Sequence, residues 1–496
     1  MSTTSGSHRV PDLEPRQIAL DLEATAQHRR FSISGRNNRP PRQGMVVAGL
    51  SELPDNFFAA LECEAYAFGG LASLGDSGES HQSNGGSPIL RWDQAWPVWV
   101  YALQQCARVW LVSRPEQEML PQAYAIKTAL EEQGVEVKLL LFLEGTGQAQ
   151  GWFREAKGFN VAADRVWRND VPRDRQVRSL IREFRKERLG LVLSSGGAKG
   201  LAHAGVLQVL EEHGIEFDAV SGTSMGAYVG ALYACGVSSE GMEQLALDCA
   251  NPWKMLKLLD PVFPPRRGFL RGENVMARLR ESVGYTELQE LSVPLRITSV
   301  RVDTLEREVF DDGDLARAVL ASACIPGVCE PVEFRGCHYI DGGIADPVPV
   351  RPLLEMGVER ILAVNTIPNP SDMVNCLKLD QEQAAQQAGL PGLVSKHLNW
   401  FSRGNILDIL FRATHGAQMR LAAQASAGAD VIIRPVQCNS RWHDFRHAAD
   451  YVALGRRAAE DMLPKILEFA SSTSNPQEHH ESTSKSMGIP ARIHTA

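Results

Sequence analysis

Between residues 189 and 365, short apolar runs alternate with amphipathic stretches. Residues 189–194 form an unbroken apolar run closed by a serine, the pattern of a strand buried on both faces. A helix-spaced segment follows at 201–213, then a short strand at 218–221 and a helix of small residues running to Gly236. Strands read at 295–302, 338–340 and 360–365, and helices at 314–322 and 350–356. Such alternation predicts a three-layer α/β/α core over 189–365, with a mainly parallel central sheet covered by helices on both faces.

The same pattern recurs earlier on a smaller scale. Runs at 108–112 and 136–142 flank a helical pattern at 122–133, which predicts a small α/β lobe over 90–170. A charged connecting helix is expected within 171–188, and a helical C-terminal part of the core domain over 366–470. The remainder is poor in apolar periodicity. Residues 1–43 are expected to be a disordered tail with a short helix near 17–28, 44–89 irregular or linker, and 471–496 a second disordered tail.

Composition narrows the class. A length of 496 residues favours two or three folded units, and 44% hydrophobic with 22% charged residues excludes a wholly disordered or fibrous chain. Fifty-one Lys and Arg against 59 Asp and Glu leave a net charge of −8, so no nucleic-acid partner is expected. The apolar run at 95–103, interrupted by Pro97, falls far short of the roughly 18 to 20 residues of a spanning helix. No apolar signal segment follows Met1, and the nine cysteines contain no C-x-x-C pair, so they read as packing residues. A cytoplasmic protein is expected, free to lie peripherally on a membrane.

Three glycine-rich turns carry candidate chemistry. Gly222-Thr223-Ser224-Met225-Gly226 fits G-x-S-x-G, a tight strand-to-helix turn that lifts a serine hydroxyl above a sheet edge. Ser195-Gly196-Gly197-Ala198-Lys199-Gly200 occupies an earlier strand-to-helix turn, where successive glycines free backbone N–H groups to face an anion. It fails the spacing of both a P-loop and a dinucleotide fingerprint, which disfavours a nucleotide-binding reading. Asp341-Gly342-Gly343 follows the strand at 338–340 and offers a carboxylate base to a serine that needs one. Each element alone is also ordinary turn chemistry.

In this order the three resemble the patatin-like phospholipase family, over roughly residues 189–363. The resemblance implies a Ser-Asp dyad without histidine: Ser224 as nucleophile, Asp341 as base, and the backbone of Gly196, Gly197 and Ala198 as oxyanion donors. Lys199, Gly200, Gly222, Gly226, Gly342 and Gly343 complete the motifs. Ala321-Ser322-Ala323-Cys324-Ile325-Pro326-Gly327 looks like the helix-end segment before the aspartate strand of that family. Stretches 92–113, 137–152 and 417–434 are similar to the neuropathy-target-esterase-like branch, whose larger members carry cyclic-nucleotide modules and a membrane anchor upstream. The sequence shows neither. It also departs from the family loop in placing Ser195 where its first glycine usually stands. The implied activity is hydrolysis of carboxylic esters of phospholipids or lysophospholipids through an acyl-enzyme, with no metal or organic cofactor.

Other residues have plainer readings. Lys199 is either a ligand for a lipid phosphate or a solvated helix-start lysine. His203 reads as a core histidine, and His338 lies three strand positions from Asp341, hence on the opposite face. Cys235, Cys249, Cys324 and Cys329 read as packing residues. Asp311, Asp312 and Asp314 read as a turn capping the helix at 314–322 rather than as a metal site. Stretches 253–269 and 390–411 mix aromatic and aliphatic residues with cations, a composition that suits either a membrane headgroup boundary or core helices with solvated edges. Two rivals stay open beside the dyad enzyme: a Ser-His-Asp α/β-hydrolase, and a non-catalytic lipid-binding or scaffold protein that retains the fold.

Overall fold

Leu189–Leu193 (β6) forms the centre of the larger of two sheets, and every residue in it is buried. The computed structural model describes residues 45–49, 89–92, 108–116, 120–131, 135–145, 149–158, 163–369, 406–435 and 444–471. The expected helix near 17–28, both tails and most of the 390–411 stretch lie outside the described residues.

On one side of β6 run the parallel strands β7 (Ala219–Thr223) and β8 (Leu295–Arg301); on the other run β12 (Arg360–Val364) and β13 (Val431–Ile433), also parallel. Antiparallel β9 (Arg307–Phe310), β10 (Val332–Phe334) and β11 (Cys337–Asp341) complete the β8 edge. The expected mainly parallel sheet is present, but it extends past residue 365, because β13 returns from the helical C-terminal stretch to pair with β12. Asp430 precedes that strand and Arg434-Pro435 follows it, which leaves a run of three apolar residues too short to stand out in the sequence.

Alternate side chains of the central strands feed two cores. Leu189, Leu191 and Leu193 of β6, with Leu362 and Val364 of β12, join one face; Val192, Ile361 and Ala363 join the other. Helices Ala202–Glu212 (α4), Met225–Ala234 (α5) and Ala448–Ser471 (α12) pack on the first face, and Arg351–Glu355 (α10) with Ile406–Ala425 (α11) on the second. From β6 the chain runs through β7 and β8 on one side, and returns only later to fill the other side with β12 and β13. The crevice beyond the carboxyl ends of β6, β7 and β12 is therefore the topological switch point, where α/β sheets place ligands.

The smaller lobe is a wholly parallel sheet of five strands, in the order Ile89–Trp92 (β2), Met45–Gly49 (β1), Arg108–Ser113 (β3), Glu136–Leu143 (β4) and Arg165–Arg168 (β5). Its strands β3 (Arg108–Ser113), β4 (Glu136–Leu143) and β5 (Arg165–Arg168) fall in the expected 90–170 segment. The 44–89 stretch, read as linker, holds β1 (Met45–Gly49) and opens β2 (Ile89–Trp92); four- and five-residue runs without a helical partner pattern beside them carry little signal.

The charged helix α3 (Arg173–Arg185) binds the two sheets together rather than merely connecting them. Arg182 donates to both oxygens of buried Asp218 at 2.8 Å, and Asp218 also accepts the Leu189 N–H at 2.8 Å. Glu183, 3% exposed, meets Arg165 at 2.8 Å, Lys138 at 2.6 Å and Arg188 at 3.4 Å. Burial acts to raise the Glu183 carboxyl, but those three cations outweigh it and hold the group down at about 2.

Candidate active site

Ser224 stands between the last residue of β7 and the first of α5, with φ 57° and ψ −119°. A side-chain-bearing residue at positive φ is strained and is kept there by its surroundings. Its N–H donates to Ser322 Oγ at 2.8 Å, and the Ser322 hydroxyl donates to the Thr298 carbonyl at 2.6 Å. The turn also needs glycine for close approach: a Cβ at Gly226 would lie 2.1 Å from the Leu193 carbonyl oxygen, and one at Gly222 would lie 2.5 Å from the Gly226 carbonyl oxygen.

Asp341 reaches the same point from β11, 117 positions further along the chain. Its Oδ2 accepts the Ser224 Oγ hydrogen bond at 2.7 Å, and its Oδ1 accepts the Gly343 N–H at 2.7 Å. Its own N–H donates to the Cys324 carbonyl at 2.8 Å, and Gly342 allows the chain to pass the Thr298 carbonyl, 2.2 Å from where a Cβ would stand. Both side chains are sequestered, Ser224 at 5% and Asp341 at 4% exposure. Burial pushes the Asp341 carboxyl up from 3.8 to about 6, with the Ser224 and Gly343 hydrogen bonds acting in the opposite direction.

The glycine loop lies beside this pair, at the switch point. It leaves β6, forms a 3₁₀ turn over Gly197–Leu201 and enters α4. Ser195 is fixed: its N–H donates to the Pro347 carbonyl at 2.8 Å and its carbonyl accepts the Thr366 hydroxyl at 3.1 Å. A serine in the place of a glycine therefore serves as an anchor, and its N–H is committed. Among the described residues, the N–H groups of Gly196, Gly197 and Ala198 have no hydrogen-bond acceptor. Gly200 gives the Met225 side chain room, its absent Cβ lying 2.5 Å from the Met225 Cγ position.

His203 and His338 point elsewhere. His203, fully buried, has its Nε2 at 2.9 Å from the Ser194 carbonyl, and burial pushes it down to about 4, so it is a neutral donor there. His338 is exposed on β11, where alternation turns it away from Asp341. Lys199 is buried, contrary to the solvated reading. His415, on α11, is lowered first by burial and then by the nearby Lys199 charge.

Three contributors were not marked by the sequence: Ser322, Thr298 and Gln418. Ser322 lay in a recognised segment without an assigned role, and Thr298 acts through its backbone. Gln418, whose Nε2 is 2.9 Å from where a Gly343 Cβ would be, comes from a helix 75 positions away. The acidic turn has the expected role: Asp314 Oδ1 accepts the Arg317 N–H at 2.7 Å, while Asp311 and Asp312 face Arg296 and Arg335. Among the described residues, no three His, Cys, Asp or Glu side chains form a cluster able to hold a metal. Cys324 is buried, and burial pushes the half-buried Cys235 and Cys249 thiols up to about 11, which suits packing residues.

Residues 191–354 match the family model described as patatin-like phospholipase. An uncharacterised NTE family protein of Mycobacterium bovis is 36% identical over 187 residues, which are 37% of this chain and 51% of that protein. Lysophospholipase NTE1 of Lodderomyces elongisporus is 31% identical over 190 residues, 38% of this chain and 13% of that protein. The match thus spans about half of the first relative and a smaller part of the second. Among solved structures, VipD from Legionella pneumophila aligns over 56% of this chain and 67% of that chain at 16% identity, with a TM-score of 0.31. Residues 191–354 are therefore a patatin-like phospholipase domain, and the chain is similar over that region to NTE family proteins.

Proposed function

We propose that the protein is a serine hydrolase of carboxylic esters, acting on phospholipids or lysophospholipids and releasing free fatty acid. The observation that carries this reading is the 2.7 Å hydrogen bond from a buried serine hydroxyl to a buried carboxylate. The patatin-like phospholipase domain and the lysophospholipase name of one relative support the substrate class.

In this scheme Asp341 Oδ2 takes the Ser224 proton as Ser224 Oγ attacks the acyl carbonyl carbon. The carbonyl oxygen becomes an oxyanion, held by the N–H groups of Gly196, Gly197 and Ala198; one such donor contributes on the order of 3 kcal/mol. Collapse passes the proton from Asp341 to the leaving glyceryl oxygen and leaves an acyl-Ser224 ester. Water then attacks that ester while Asp341 accepts its proton, and the fatty acid departs as Ser224 is reprotonated. A carboxylate raised to about 6 is ionised at neutral pH yet more basic than an exposed aspartate. The scheme needs no metal or organic cofactor.

The test is product analysis by mass spectrometry on a mixed lipid panel. The parent is expected to release fatty acid and Ser224→Ala to release none. Equal hydrolysis by the variant removes Ser224 from the reaction. A parent that binds lipid without turnover or fluorophosphonate labelling supports the scaffold reading instead. Since acyl chains must leave a micelle or bilayer, residues 253–269 and 390–411 are the proposed membrane-facing stretches; among the described residues no helix is long and apolar enough to cross a membrane.

A further inference from the structure

Beyond helix α6 (Ser239–Ala250) the chain leaves the core without burying its apolar side chains. Helix α7 (Pro252–Leu258) contains no buried residue. Trp253 is 77% exposed, Leu256 59%, Leu259 42% and Phe263 95%. These four are among ten large apolar side chains exposed in the described residues, and they fall within eleven consecutive positions. Apolar surface gathered in this way marks a contact site more often than scattered exposure does.

The charge of the same stretch opposes that of the whole. Residues 251–271 hold five Lys and Arg and one Asp, in a chain of net charge −8. Lys254 pairs with Asp248 at 2.6 Å, but Lys257, Arg266 and Arg267 are exposed and have no carboxylate partner among the described residues. The single aspartate is turned inward: Asp260 accepts the N–H groups of Arg271 at 3.1 Å, Gly272 at 2.8 Å and Asn274 at 3.2 Å.

The far end of this loop is joined to the wall of the site. Phe269 and Leu270 donate to the Val328 carbonyl at 2.8 and 3.0 Å, and Glu330 donates to the Leu270 carbonyl at 2.8 Å. The 324–330 segment so gripped supplies the Cys324 carbonyl that holds the Asp341 N–H.

We infer that residues 251–271 are a docking loop for an anionic phospholipid surface. Trp253, Leu256, Leu259 and Phe263 enter the boundary between headgroups and acyl chains, and Lys257, Arg266 and Arg267 meet the anionic headgroups. A second copy of the chain fits less well, because an isologous contact would bring the two sets of cations together. The inference rests on the lipid-ester reading for its purpose, since it places the site mouth against the substrate, but binding is measured separately from turnover.

The experiment uses the full chain with phosphatidylcholine vesicles and with vesicles of phosphatidylcholine and phosphatidylserine. Cosedimentation of the parent with the anionic vesicles, weakened by salt, is expected. Trp253→Ala/Phe263→Ala and Lys257→Glu/Arg266→Glu/Arg267→Glu should each lose at least about tenfold in binding. Hydrolysis of phospholipid in vesicles should fall with it, while hydrolysis of a soluble short-chain ester stays at the parent level. Parent binding that is absent, or equal on both vesicle types, overturns the inference without use of any variant. So do variants that bind as the parent does, and so does a parent dimer in light scattering that the variants lose. Failure of the parent on the soluble ester defeats the catalytic reading and leaves the vesicle result to decide docking.

Discussion

Asp341→Asn removes a negative charge from a position where water barely reaches, and its effect on stability follows from the proton it no longer binds. Burial lifts the Asp341 carboxyl from 3.8 to about 6, so the folded protein holds this proton more tightly than the unfolded chain does. Below 3.8 the carboxyl is neutral in both states and burial of charge costs nothing. As pH rises through about 6 the folded protein must carry a buried carboxylate, and stability is lost. Two pKa units correspond to about 3 kcal/mol. Asparagine is neutral throughout and keeps an oxygen for the Gly343 N–H, but relative to the neutral carboxyl it weakens the hydrogen bond with Ser224, a loss of about 1 kcal/mol. The variant should therefore be about 2 kcal/mol more stable than the parent at pH 8, with the advantage gone at pH 4. Urea unfolding of both proteins at the two pH values measures the difference. Hydrolysis by the same variant should fall by at least about a hundredfold, the usual contribution of a general base. A difference in stability that does not change with pH, or a parent more stable at pH 8, refutes the reasoning.

Other outcomes follow from the same geometry. Ser322→Ala leaves the Ser224 N–H without its buried acceptor, so kcat should fall by roughly tenfold or more with KM little changed; unchanged kcat shows that the strained turn needs no such support. His338→Ala should keep hydrolysis within about twofold of the parent, as expected of an exposed surface change, whereas a loss as large as that of Asp341→Asn restores the triad reading. Arg182→Ala strips Asp218 of its bidentate partner and should cost about 3 to 5 kcal/mol in urea unfolding; a cost near zero means that the buried network does not hold the lobes together.

What the sequence disclosed depended on how local each signal was. The strands of the central sheet were legible because both faces are covered, which makes β6 and β12 continuous apolar runs. Gly222, Gly226 and Gly342 were legible as motif letters, and the structure supplies their physical reason in carbonyl oxygens that leave no space for a Cβ. β13 and β1 were lost because three to five apolar residues carry no period of their own. Ser322 and Gln418 act across the fold, through a hydrogen bond to a distant backbone and through proximity to a glycine, and no spacing along the chain encodes either. For Lys199 the helix-start position left a lipid-phosphate ligand and a solvated lysine both open, and only the three-dimensional packing shows that its side chain is buried. Charge patterning did mark the 253–269 stretch, whose Trp253, Leu256, Leu259 and Phe263 are exposed where a core helix would bury them.

The central claim is that a buried carboxylate, and no histidine, activates Ser224. The direct measurement is the rate of fluorophosphonate labelling across pH values on both sides of 6, with the adduct mapped by mass spectrometry. The dyad predicts one adduct, on the Ser224 peptide. Its rate should rise about tenfold per pH unit at low pH, level off above about 6, and drop sharply in Asp341→Asn. An adduct on another residue, or a labelling rate that Asp341→Asn leaves intact, contradicts it.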